Sequence, residues 1–202
     1  MFALIENGQF VKIVNSNKGI TIGDNQYPKS IYNLWSEDER NAIGIYEVSV
    51  DNTNKKDEAY YINTDISYSY ANGVVTASYG TATPKPLDDV LFVEGDEIPS
   101  DKAVGDVKSY GLKGLEIAKI KAQAGGLLAP SDWYVIRYQE DNTKTIPTDV
   151  ATYRNNVRAK SDEMESQINT CGTVEDLKTL FTWTEDEQGN ITRPLVSFPE
   201  VI

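Results

Sequence analysis

The side chains that most often carry out catalysis are scarce in this chain. None of its 202 residues is a histidine, and Cys171 is the single cysteine. The lack of histidine excludes a histidine general base, Ser-His-Asp and Cys-His arrangements, and the zinc sites that use imidazole ligands. Cys171 has no base beside it in the sequence, which favours a packed apolar residue over a reactive thiol. A single cysteine also excludes an internal disulfide.

Carboxylates between residues 84 and 108 are the remaining candidates for chemistry. Seven acidic and three basic residues lie there, with little apolar periodicity. A glycosidase pair such as Glu94 with Asp96 would need a rigid element to hold it, and none is indicated. Calcium binding by the acids is an alternative to a solvated acidic linker, although their spacing does not match an EF-hand. The candidate ligands are Glu94, Asp96, Glu97, Asp101 and Asp106. The sequence therefore predicts no enzyme and no cofactor.

The charge and hydropathy of the chain limit its partners. The formal net charge is −12, which opposes binding to nucleic acid because phosphate contacts need clustered lysine and arginine. No run approaches the roughly 18 apolar residues of a membrane span, so we expect no membrane insertion. Residues 1–14 alternate in polarity and include Glu6 and Lys12, unlike the continuous apolar core of a signal peptide.

Residues 1–83 have the pattern of a β-rich domain. Alternating apolar runs flank an Asn-Gly pair at positions 7–8 and another at positions 72–73, which is a strong hairpin signal. One short helix is expected between the strands, because Ser36 can cap the amide of Glu39 while the Glu39 carboxylate reaches back.

Tyrosines are concentrated around the second predicted hairpin. A tyrosine-rich sheet face could bind sugars or a partner protein by stacking. Packing of aromatic rings across neighbouring strands is the more common reason for such a pattern, and both interpretations are kept. The residues concerned are Tyr60, Tyr61, Tyr68, Tyr70 and Tyr79.

After the acidic segment the apolar period becomes that of helices. From Leu112 apolar residues recur three and four positions apart, and Pro130 should end this first helix. Residues 133–138 are apolar and aromatic, which indicates an extended segment. A second helix is expected to open near Pro147, and a short third one at Thr173, whose hydroxyl can cap it.

These patterns together predict an α+β protein. Its parts would be a β-rich domain at 1–83 with one short helix, an acidic linker at 84–108, a helical hairpin domain with an additional short helix at 109–182, and an extended C-terminal arm, or a hairpin, at 183–202. We expect the linker to be the first site of limited proteolysis.

The helical region also contains a motif. Residues 127–133 read Leu-Leu-Ala-Pro-Ser-Asp-Trp, Pro147 follows, and residues 153–158 read Tyr-Arg-Asn-Asn-Val-Arg. The arrangement resembles bacteriophage tail-assembly chaperones and tail-fibre accessory proteins. The resemblance covers roughly residues 115–170, and Gly125-Gly126 departs from the charged residues usual before Leu-Leu-Ala. It implies a structural protein that acts through protein–protein contacts.

The resemblance further implies a partner, an assembly and a location. The partner would be a phage tail fibre protein, and the chain would form a homotrimer or bind a three-fold assembly. The protein would be made in the host bacterial cytoplasm and belong to the tail of the virion, as an assembly chaperone or a permanent fibre subunit. The alternative function is a receptor-binding module at the fibre tip that recognises host surface glycans through its tyrosines.

The apolar stripes of the helices are the expected partner-binding surface, because two short helices would leave part of them uncovered. We expect Trp133 to be buried at the helix crossing, so that Trp133→Ala would cost roughly 3–5 kcal/mol of stability. The predicted partner-binding residues are Leu112, Leu115, Ile120, Trp133, Val150, Tyr153, Arg154, Val157, Arg158 and Met164.

Overall fold

The computed structural model describes residues 1–201 and confirms the α+β class. By its internal contacts the chain divides into two compact units, Met1–Thr83 and Pro84–Ile202. Strands predominate in the first unit and helices in the second.

The first unit is built around a five-stranded sheet. The strand order is β2-β1-β5-β8-β7, with β5 and β8 parallel and the other neighbours antiparallel. Its elements are β1 (Phe2–Glu6), β2 (Gln9–Val14), β3 (Ile20–Ile22), β4 (Asn25–Tyr27), α1 (Ile31–Leu34), α2 (Glu37–Ala42), β5 (Ile45–Asp51), β6 (Tyr61–Ile62), β7 (Ile66–Ala71) and β8 (Val74–Tyr79), and β9 (Thr83–Pro84) lies at the unit boundary.

Both predicted hairpins are confirmed, and so is the predicted helix cap. Asn7 and Asn72 have a φ of 52°, and the glycine after each is also in the left-handed region, as a tight two-residue turn requires. Ser36 and Glu39 form the reciprocal capping box at the start of α2. Helix α1 was not predicted.

Both faces of this sheet are covered by apolar side chains. Leu4 and Ile45 belong to one buried cluster, whereas Ala3, Ile5 and Val48 belong to another. Because successive residues of a strand point to opposite faces, the alternation along β1 assigns one cluster to each face.

The second unit consists mainly of four helices. Helix α3 packs against α5, and Lys121 of α3 forms a 3.1 Å ion pair with Glu165 of α5. A 3₁₀ turn over Ala129–Ser131 joins α3 directly to α4. The elements are β10 (Val90–Leu91), β11 (Val107–Ser109), α3 (Leu112–Leu128), α4 (Asp132–Glu140), α5 (Thr148–Thr170), α6 (Val174–Phe181), β12 (Thr184–Glu185) and β13 (Ile191–Thr192).

The acidic segment 84–108 differs from an extended linker. It contains the paired strands β10 and β11, and it covers the start of α3. The amides of Leu112 and Lys113 donate to the carbonyls of Pro86 and Leu87 at 2.9 and 3.0 Å. Helix α3 has no side-chain cap, so backbone carbonyls satisfy donors that would otherwise be left unpaired at its first turn.

The expected extended segment after Pro130 is wrong, because residues 132–140 form helix α4. The aromatic and β-branched residues of this segment favour a strand. The residues at the two ends of the segment favour a helix instead. Pro130 occupies the first turn of the 3₁₀ segment, where its missing N–H costs little. Asp132 in the first turn of α4 and Arg137 in the last have the charges that suit the helix dipole.

Of the two conformations expected for the C-terminal segment, a hairpin and an extended arm, the structure contains the hairpin. Strands β12 and β13 form a hairpin, and Leu195 beyond them is buried. The side chain of Gln167 donates to the carbonyl of Pro194 at 3.2 Å and accepts from the amide of Val196 at 3.1 Å. These bonds hold the segment against α5.

Candidate partner-binding site

Arg154 of α5 joins the two halves of the sequence motif. Its guanidinium donates to the Leu128 carbonyl at 2.8 Å, to the Ser131 hydroxyl at 2.6 Å and to the Asp132 carboxylate at 2.7 Å. The Arg154 side chain is buried, whereas the Asp132 side chain is 53% exposed. A rigid guanidinium suits this role because it presents several donors in fixed directions.

Ser131 completes the hydrogen bonding at this corner. Its hydroxyl donates to the Leu128 carbonyl at 2.9 Å while accepting from Arg154. The turn between α3 and α4 is thereby closed on itself and also tied to α5. We call this group, formed by Leu128, Ser131, Asp132 and Arg154, the Arg154 node.

The helix that leaves the Arg154 node is exposed to an unusual degree. None of the nine residues of α4 is buried. Trp133 is 50% exposed, Ile136 58% and Tyr138 39%. Large apolar side chains on a helix with no buried residue mark an interaction surface more strongly than isolated exposed residues do. Trp133 and Ile136, three positions apart, lie on one face of the helix, whereas Tyr138 lies on another. We call the exposed side chains of Trp133 and Ile136 the α4 surface.

Arg137 holds the aromatic part of α4 in place. Its guanidinium lies 4.9 Å from the Trp133 ring centre and 5.3 Å from that of Tyr134, and the two rings are 3.8 Å apart. It also donates to the Thr145 carbonyl at 3.3 Å in the loop before α5. Cation–π contact and this hydrogen bond restrict the side chains that face solvent.

The structure places most of the predicted partner-binding residues in the interior of the second unit. This corrects the expectation of surplus apolar surface, because the stripes of α3 and α5 are covered within the chain itself. The buried members are Leu112, Ile120, Val150, Tyr153, Arg154, Val157 and Met164, and the exposed ones are Leu115, Trp133 and Arg158.

The sequence missed part of the α4 surface. The segment expected to be extended, residues 133–138, includes Ile136. The motif identifies Ser131 and Asp132 but does not predict their contacts with Arg154. The spacing of Trp133 and Ile136, three positions apart, is the signal that could have placed them on one helix face.

Two tyrosines of the second hairpin, Tyr68 and Tyr70, pack against other aromatic rings. Tyr46 meets Tyr70 edge-on at 4.9 Å, and Tyr68 stacks on Phe10 at 4.8 Å. The hydrogen bond with Tyr70, followed by burial, raises the pKa of Tyr46. This arrangement favours cross-strand aromatic packing over a glycan platform.

Asp96 and Cys171, two of the other candidates for chemistry, are engaged in structural contacts. Asp96 pairs with Lys108 at 2.7 Å, and that hydrogen bond holds the pKa of the Asp96 carboxyl below its usual value. Among residues 1–201, no group of three carboxylate or thiol side chains is arranged to hold a metal ion. Burial raises the pKa of the Cys171 thiol, which disfavours the reactive thiolate.

No family model, curated protein or solved structure matches this chain. Within residues 1–201, no helix combines the length and the apolar character needed to cross a membrane.

Proposed function

We propose that this chain is a bacteriophage tail protein that acts through protein–protein contacts, as a tail-fibre assembly chaperone or as a fibre-bound structural subunit. The resemblance of residues 115–170 to such proteins motivates the proposal. The proposed partner is a phage tail fibre protein, bound by a homotrimer or on a three-fold assembly in the tail of the virion. No catalytic step and no cofactor belong to this function.

The observation that carries the proposal is the attachment of α4. The motif residues Ser131, Asp132 and Arg154 form a hydrogen-bonded group that fixes α4, while Trp133 and Ile136 on α4 stay exposed. Binding surfaces gain affinity when their anchors are already ordered before the partner arrives. Exposed tryptophan and tyrosine are also the residues most often found at the energetic centres of interfaces.

Coexpression with the proposed partner, a phage tail fibre protein, tests the proposal. We expect a stable complex that is lost when Ile136 is changed to Asp, because a charge would enter a desolvated contact. Ile191→Asp is the matched control, since Ile191 is similarly exposed at 66% but lies in the β12–β13 hairpin. Absence of a complex with the unaltered chain, or equal loss with both variants, contradicts the proposal.

A further inference from the structure

A hollow beside the Arg154 node has the size of a small binding site. Its volume is about 310 Å³, near the lower end of the range of ligand sites. We call it the Tyr153 pocket. Its walls are mostly apolar and come from α3, the 3₁₀ turn, α4 and α5, with one residue from the C-terminal segment. The lining residues are Leu127, Pro130, Ser131, Tyr134, Asp149, Val150, Tyr153 and Val201.

One wall of the pocket has an unsatisfied polar group. Tyr153 is only 6% exposed, and its hydroxyl is buried without a hydrogen-bond partner among residues 1–201. A buried hydroxyl that lacks a partner lowers stability. Because this oxygen has no accessible surface, a ligand in the pocket contacts the Tyr153 ring and not its hydroxyl.

The C-terminal segment of the chain packs an apolar side chain against the helices beside the pocket. Phe198 packs against the buried cluster of Ala124, Tyr153 and Val157. The segment that contains Phe198 has no regular secondary structure and is held to α5 by Gln167. An irregular segment with an apolar side chain therefore already lies next to the Tyr153 pocket.

The charge beside the pocket is negative. Asp149 and Glu200 line a second hollow that also borders Tyr153. Neither carboxylate has an ion-pair partner within residues 1–201, and the whole chain carries a net charge of −12. The complementary ligand group is a cation.

We propose that the Tyr153 pocket binds an extended segment of the partner protein in which an apolar side chain is followed by lysine or arginine. The apolar side chain fills the pocket against the Tyr153 ring, and the cation lies near Asp149 and Glu200. This inference rests on the proposed protein-binding function and specifies the chemistry of the partner.

Peptide titration of the full chain, followed by NMR, tests the inference. The probe is acetyl-Gly-Leu-Lys-Gly-amide, and its controls replace leucine by serine or lysine by glutamate. We expect shift changes at the pocket residues with a Kd on the order of millimolar, weakened severalfold in either control peptide. Shift changes scattered away from the pocket, or equal binding of all three peptides, overturn the inference.

Two variants test the contacts that the inference names. Tyr153→Phe keeps the ring and removes the unpaired hydroxyl, so we expect an unchanged or higher Tm together with unchanged binding of the probe. Asp149→Asn should weaken binding of the probe and reduce its sensitivity to salt. Asp162→Asn is the matched control, since it removes a charge about 20 Å further along α5. Unchanged affinity in Asp149→Asn overturns the inference.

The outcomes separate this inference from the function on which it rests. If the probe does not bind while the full chain still captures the fibre protein, the binding role of the Tyr153 pocket is wrong. The proposed protein-binding function is then unaffected. Specific binding of the probe without any complex with the fibre protein supports the pocket and contradicts the function.

Discussion

The guanidinium of Arg154 donates a 2.6 Å hydrogen bond to the hydroxyl of Ser131, although 23 residues separate the two in sequence. The bond connects the middle of the long helix α5 with the turn that precedes α4. The exposed side chains of α4 therefore depend for their placement on a buried arginine that does not itself reach the surface.

Removal of the Arg154 side chain should lower the stability of the protein. Arg154→Ala leaves the Ser131 hydroxyl and the Leu128 carbonyl with fewer partners, so we expect a loss of roughly 2–3 kcal/mol in the free energy of unfolding. The half-exposed Asp132 adds little, because water can solvate it. Arg158→Ala, four residues further along the same helix and exposed, should change stability by less than about 0.5 kcal/mol. Urea denaturation measures both, and equal effects would contradict the role of the node.

Trp133→Ala should have a small effect on stability. Half of this side chain is exposed, so we expect a loss of about 1 kcal/mol or less in place of the cost of a buried aromatic. Binding of the fibre protein should nevertheless fall sharply. Thermal melting and a pull-down with the same protein sample separate the two effects, and a large drop in Tm would show that Trp133 is a core residue.

Substitutions in the interior of the helical unit should act on folding. Met164 is 1% exposed, and Met164→Ala should cost about 2–5 kcal/mol through lost burial and a cavity. Val157→Asp would bury an unpaired charge and should unfold the second unit. Circular dichroism checks this, and a fully folded Val157→Asp protein that has merely lost its partner would restore the interpretation of this stripe as an interface.

Replacing either of two glycines of the helical unit by alanine should change the stability of the protein, in opposite directions at the two positions. Gly125 lies in α3 with open space around it, so Gly125→Ala should stabilise by about 0.5–1 kcal/mol. A side chain at Gly111 would collide with the Asp88 carbonyl, so Gly111→Ala should destabilise by about 1–3 kcal/mol. Thermal melting of both variants measures the difference, and a neutral Gly111→Ala would contradict the close packing of segment 84–108 on α3.

The cap of α6 should weaken in acid. Hydrogen bonds from Thr173, and in addition from the Gly172 amide, hold the pKa of the Asp176 carboxyl below its ordinary value. A lowered pKa in the folded state means that the stabilisation is complete above the ordinary pKa of aspartate, about 3.9. It is lost as the pH falls through the folded-state value.

NMR titration of the Asp176 side chain and of the α6 amides measures this effect. The amide shifts of the first turn of α6 should move with the carboxyl as it protonates, because the cap and the helix end are linked. Asp176→Asn should abolish the movement. An Asp176 pKa at or above its ordinary value would contradict the prediction.

Local patterns in the sequence determined the hairpins and two of the helix starts. Asn-Gly at positions 7–8 and 72–73, and the caps at Ser36 and Thr173, depend on residues at most a few positions apart. The energies involved are those of turn geometry and of single hydrogen bonds to the adjacent backbone. Such features form in the same way wherever the segment lies, so the sequence alone was sufficient to predict them.

The tertiary structure decided the conformation of α4, the docking of segment 84–108 and the identity of the exposed residues. Each depends on partners far along the chain: Arg154 for the corner before α4, the carbonyls of residues 86–87 for the start of α3, and α5 for the apolar face of α3. An apolar stripe shows that a helix face will be covered, but not whether its own chain or another covers it. That choice is made only when the helices pack, because burial is a property of the neighbours and not of the residue.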